Sequence, residues 1–119
     1  MKAAFGVLLL CLGLAACAGP GGSKAPVTPV SVTPESLIGK SDRDVLADYG
    51  PPPFKRTDGP AEIWQYRSDR CTLDLFFYTE GGRKRVSHQE LRYPGGSRDR
   101  PACLTALGTA IAERAAASS

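Results

Sequence analysis

The sequence predicts an α+β domain over residues 34–116: short N-terminal helices, a three- to four-stranded antiparallel meander, and a C-terminal helix packed on the sheet. Three observations carry this expectation. A capped helical stretch, Ser41 to Gly50, closes on Gly50-Pro51. Strand-like runs follow in series, separated by turn residues. An alanine- and leucine-rich stretch, Ala102 to Ala117, follows the last of them. With 119 residues, one domain is the ceiling.

In chain order, Thr33 suits a helix cap and Pro34 the first helical position, but Gly39 ends this turn early. Ser41 caps the second helix, with Asp44 three residues on in a capping-box arrangement. Asp42 and Asp44 favour its positive end, and Gly50 with Pro51 stops it. Val45, Leu46 and Tyr49 share one face, and a helix this short needs something to pack on. The strands are Phe54–Arg56, Ala61–Arg67, Cys71–Tyr78 and Arg85–Tyr93, with turns at Asp58-Gly59, at "SDR" and at "TEGGRK". In the middle strand Cys71, Leu73, Leu75 and Phe77 point one way, and Thr72, Asp74, Phe76 and Tyr78 the other. The first set is purely apolar and is expected to meet the helices. Trp64 and Tyr66 share a face of their strand, as Val86 and His88 do of theirs; which faces share the core depends on the register. In the last helix Cys103, Leu107, Ala110 and Ile111 fall on one side. Gly108 weakens that helix, and marks either a close approach to the sheet or nothing.

Residues 1–16 read as a signal peptide: Lys2 is the basic n-region, "FGVLLLCLGL" from Phe5 is an apolar run too short to span a bilayer, and small residues follow. Leu14-Ala15-Ala16-Cys17 resembles the bacterial lipobox. That resemblance implies cleavage before Cys17, a diacylglyceryl thioether on its sulfur, and an acyl chain such as palmitate on its amine. Residues 17–33 then form the lipidated Cys17 and a Gly/Pro/Ser-rich tether without hydrophobic period. Its sixteen residues after Cys17 reach at most about 50 Å. Ala18 at the second mature position, rather than Asp, resembles the sorting signal for the outer membrane. The expected location is therefore the outer membrane, lipid-anchored, with the domain facing the periplasm.

Export settles the cysteines. Of the four, Cys11 leaves with the leader and Cys17 carries lipid, so Cys71 and Cys103 remain to pair as a disulfide. Such a bond is worth about 3–4 kcal/mol by loop-closure entropy, a large share of the stability of so small a core. Losing Lys2 leaves 14 basic residues against 12 acidic, a net +2. That bias is too weak to recommend nucleic acid, and export argues against it independently.

The order Leu37-Ile38-Gly39, a short helix ending Tyr49-Gly50-Pro51, then Trp64-Gln65-Tyr66 and "CTLDLFFY" resembles the SmpA/OmlA family of BamE-like small outer-membrane lipoproteins. The match runs from about Leu37 to Leu91. It implies two helices followed by a three-stranded antiparallel sheet, and a scaffold role among outer-membrane assembly proteins. This chain departs from the family in its cysteine pair, its further C-terminal helix and its reduced first helix.

No catalytic set emerges. His88 is the lone histidine, on a strand beside a turn, and reads as a surface or half-buried strand residue. Zinc would need more ligands than Cys71, Cys103 and His88 offer. Gly81-Gly82 is a hairpin turn, not a phosphate loop. No cofactor and no small-molecule substrate is expected. The candidate interaction surface is Phe76 and Tyr78, opposite the apolar set, with Arg83, Lys84 and Arg85 at the hairpin turn. That basic cluster reads either as a solvated tip or as a contact for anionic head groups or an acidic partner. The expected function is a non-catalytic scaffold or accessory subunit in cell-envelope assembly. The alternative is a periplasmic binding module or inhibitor of an exported hydrolase, because the fold class resembles β-lactamase-inhibitor-type domains.

Overall fold

The computed structural model describes residues 26–118. A 3-10 turn at Pro34–Leu37 leads into helix α1, Asp42–Tyr49. Four strands follow, β1 Phe54–Asp58, β2 Ala61–Arg67, β3 Thr72–Glu80 and β4 Arg83–Arg92, and the chain continues into α2, Arg100–Ser118. The strands form one antiparallel sheet in the order β1-β2-β3-β4. This is the α+β meander with a C-terminal helix that the sequence predicts.

Local chemistry explains the boundaries. Ser41 and Asp44 close a reciprocal capping box: the Asp44 N–H donates to Ser41 Oγ, and the Ser41 N–H to Asp44 Oδ2, each at 3.2 Å. The Ser41 hydroxyl and backbone bonds hold the Asp44 carboxyl below its ordinary range. At the other end the Gly50 N–H donates to the Leu46 carbonyl at 2.9 Å. Thr33 does not cap the first turn with its side chain; Ser36 Oγ donates to the Thr33 carbonyl instead, at 2.7 Å. The β3–β4 hairpin turns on Gly81 and Gly82, both at positive φ, as a two-residue turn of matching twist requires.

Register fixes the faces. Trp64 lies opposite Leu75, and Tyr66 opposite Leu73. These four share the face of Cys71 and Phe77 and meet α1 and α2 through Leu37, Val45, Tyr49, Leu107 and Ile111, all buried. Tyr66 donates its hydroxyl to the Gly50 carbonyl at 2.8 Å and packs edge-on to Tyr49 at 5.8 Å. Burial pushes both phenols above their ordinary pKa. Leu46, expected beside Val45 and Tyr49, is instead 37% exposed, because so short a helix buries only a narrow stripe. In α2 Cys103, Leu107 and Ile111 are buried as expected; Ala110 is half-buried, and Gly108 and Ala112 take the inner positions.

Two expectations are corrected. Val86 and His88 do not share a face. Phe76 pairs with His88 but Phe77 with Val86, so Ser87 is an extra residue that turns His88 outward while Val86 stays in the core. Packing also begins before the expected boundary at residue 34. Val32 is buried in the core and Val30 packs against it, and the Val30 N–H donates to the Gly108 carbonyl at 3.0 Å. The close approach that Gly108 allows is therefore to this incoming segment and not to the sheet. A Cβ there would lie 2.0 Å from the Val30 carbonyl oxygen.

Candidate interaction surface

Both helices lie on one side of the sheet, and no described element covers the other. Cys71 and Cys103 are bonded, with their Cα atoms 5.5 Å apart, and tie the start of β3 to the first turns of α2. Both are buried, and the bond leaves no free thiol on either. Cys17 and the tether before Pro26 lie outside the described residues.

On the open face, strand alternation and register bring together Phe54 and Arg56 of β1, Ile63, Gln65 and Arg67 of β2, Asp74, Phe76 and Tyr78 of β3, and Arg83, Arg85, His88 and Arg92 of β4. Four of the five candidate residues, Phe76, Tyr78, Arg83 and Arg85, thus share this face. Lys84 does not. It pairs with Thr79 and points to the helical side, where its Nζ bonds Glu62. That ion pair, with the Trp64 indole N–H donating to Glu62 Oε1 at 2.7 Å, holds the Glu62 carboxyl low and the Lys84 ammonium high. The basic run is therefore split by the strand period rather than gathered into one patch. Arg85 is further committed, with Nη1 donating to the Gly39 carbonyl at 3.0 Å.

The surface differs from the sequence reading most at its centre. Asp74 is 2% exposed although nothing described covers its face. Its Oδ1 accepts from Gln65 Nε2 and its Oδ2 from Arg92 Nη2, each at 2.7 Å. Arg67 donates in turn to Gln65 Oε1 and sits over the Phe54 ring at 5.2 Å. A polar chain therefore spans β2, β3 and β4, and no described buried side-chain nitrogen or oxygen lacks a partner. The sequence held one hint of it: Gln65 and Asp74 are polar residues in the middle of otherwise apolar or aromatic strands. Only the register places them opposite each other.

His88 is exposed and packs its ring 5.3 Å from that of Phe76. Among the described residues, no group of three or more His, Cys, Asp or Glu side chains converges in a metal-holding arrangement, and no helix is long and apolar enough to cross a membrane. What the face offers is planar guanidinium donors, three aromatic rings and a fixed polar network, the chemistry of recognition. No family model, curated protein or solved structure matches the chain.

Proposed function

We propose that the protein is an outer-membrane lipoprotein whose BamE-like domain serves, without catalysis, as a scaffold or accessory subunit in cell-envelope assembly. The observation that carries the reading is Leu14-Ala15-Ala16-Cys17 directly after the apolar run from Phe5. A lipobox at that place exchanges the cleaved leader for acyl groups on Cys17, which would hold the domain at the periplasmic side of a membrane. An exported setting also suits the Cys71–Cys103 disulfide. The test has two arms. Cys17→Ala should release the protein from the membrane fraction. Affinity capture in mild detergent should recover outer-membrane assembly proteins in stoichiometric amount. Membrane retention of the Cys17→Ala chain would contradict the anchor, and repeated capture without assembly proteins would contradict the accessory role.

A second reading, a periplasmic binding module or inhibitor of an exported hydrolase, is favoured by the open sheet face with its arginines and exposed Phe54 and Tyr78. A tight complex with a hydrolase that blocks its activity, in the absence of assembly partners, would select it.

A further inference from the structure

All five arginines of the sheet, Arg56, Arg67, Arg83, Arg85 and Arg92, stand on the open face, whereas both of its lysines, Lys55 and Lys84, stand on the helical side. The carboxylates on the open face are Asp58, Asp74, Glu80 and Glu90, and Asp74 is buried and neutralised by Arg92. With Arg92 set against Asp74, the face presents four further guanidinium groups against three exposed carboxylates, an excess of one positive charge. The choice of arginine matters, because its planar fork matches a carboxylate with two parallel bonds and a lysine ammonium does not.

Two of these groups are held in place from beneath. Arg92 is fixed by the buried Asp74. Arg67 is fixed by the buried Gln65 and by the Phe54 ring. Among the described bonds, the Nη groups of Arg67 and the Nε and Nη1 of Arg92 are not used. A buried carboxylate contributes little net stability compared with a well-packed apolar residue, so the network's clearest effect is to orient the two guanidiniums before any partner arrives. Phe54 at 44% and Tyr78 at 38% exposure supply apolar contact beside them.

We propose that this open face docks an acidic protein segment, with Arg67 and Arg92 gripping its carboxylates. The inference deepens the scaffold reading and rests on it for compartment. Protein rather than lipid is favoured by where the chain enters the fold. Val30 and Val32 pack on the helical side, against α2 and the core. Only nine peptide steps separate Cys17 from Pro26, at most about 30 Å of chain. The tether therefore leaves the fold from the helical side, and the arginine face is the side away from its exit.

The test uses the full lipidated chain in detergent micelles, with a fluorescein-labelled glutamate–tyrosine copolymer as probe and a lysine–tyrosine copolymer as control. The acidic probe should bind, weaken with salt, and protect β2 to β4 in hydrogen exchange. Arg56→Gln with Arg67→Gln should weaken binding about tenfold or more, the scale of lost charge-assisted bonds, while Lys55→Gln with Lys84→Gln should change it less than about twofold. Arg92→Gln would strand the Asp74 carboxylate, so Arg92→Lys is the companion variant; it keeps the charge, removes the fork and should also weaken binding. Absence of binding at low salt, or equal losses from the lysine pair, would overturn the proposal. So would phosphatidylglycerol vesicles, and not the copolymer, binding in dependence on the same arginines. The unlipidated Cys17→Ala chain separates the two readings: it should bind the copolymer as well as wild type even if the anchor assignment fails.

Discussion

At the scale of single residues, Gly108 gives the sharpest expectation. Glycine to alanine inside a helix ordinarily stabilises by about 1 kcal/mol. Here a Cβ would sit 2.0 Å from the Val30 carbonyl oxygen, and that neighbour is backbone. Gly108→Ala should therefore destabilise by about 1–3 kcal/mol, the usual penalty of overpacking, and loosen residues 30–32. Denaturant unfolding measures the first effect and hydrogen exchange at Val30 the second. Asp74 is the other informative position. Asp74→Ala removes the acceptor for the Gln65 amide and the Arg92 guanidinium and should cost about 1–3 kcal/mol, read from the same unfolding curves. The sequence supplied the alternation that puts Asp74 opposite Leu73 and Leu75, but not its burial. Burial of a polar side chain on an uncovered face depends on cross-strand partners, and those follow from register alone.

The titrating groups at this scale set a pH window. Asp44 and Glu62 both have carboxyls held below their ordinary values of 3.8 and 4.5. Each contributes stability that is complete above its ordinary value and is lost as pH falls through its lowered one. Tyr66, Tyr49 and Lys84 are raised above their ordinary 10.0 and 10.5. Their contributions are complete below those values and are lost as pH rises through the raised ones. Thermal midpoints should be flat from about pH 5 to about pH 9.5 and fall on either side. Glu62→Gln should shrink the acid-side fall and, by removing the partner of Lys84, part of the alkaline one.

At the scale of elements, the capping box, the Gly81-Gly82 hairpin and the apolar period of β3 were legible because each is written in consecutive residues. The bulge at Ser87 was not. Nothing local distinguishes "RVSHQELRY" from a regular strand, yet one extra residue moves His88 to the opposite face from Val86. The packing of Val30 and Val32 was hidden for a related reason. Two valines among prolines and threonines carry no helical or strand period, and their burial depends on α2 arriving more than 70 residues later with a glycine at the contact. The disulfide joins the two elements that most need joining, since β3 lies inside the sheet and α2 otherwise packs through one stripe. Replacing Cys71 and Cys103 together with alanine reopens a loop of sequence separation 32 and should cost about 3–4 kcal/mol. The denaturant midpoint should fall by the corresponding amount; an unchanged midpoint would mean that packing alone holds α2 in place.

At the scale of the whole molecule, the sheet divides two functions between its faces. The helical side holds the core, the disulfide and the incoming chain, and the other side holds arginines, aromatics and a fixed polar network. Fold class was readable from the sequence because the order of periods, helix then strands then helix, is one-dimensional information. The candidate surface was half readable. Phe76, Tyr78, Arg83 and Arg85 were named from alternation and charge, whereas Arg56 and Arg67 belong to other strands and join them only through pairing, and Arg92, seven residues after Arg85 on β4, shares their face only because of the extra residue at Ser87. Everything proposed about compartment rests on the leader and on Cys17, and the most direct measurement is intact mass of the protein purified from membranes, with sequencing of its N-terminal peptide. The account predicts a chain beginning at Cys17, carrying acyl groups on that residue, and bearing a Cys71–Cys103 bond that shows no free thiol before reduction. An unacylated chain, or one beginning anywhere other than Cys17, would contradict it.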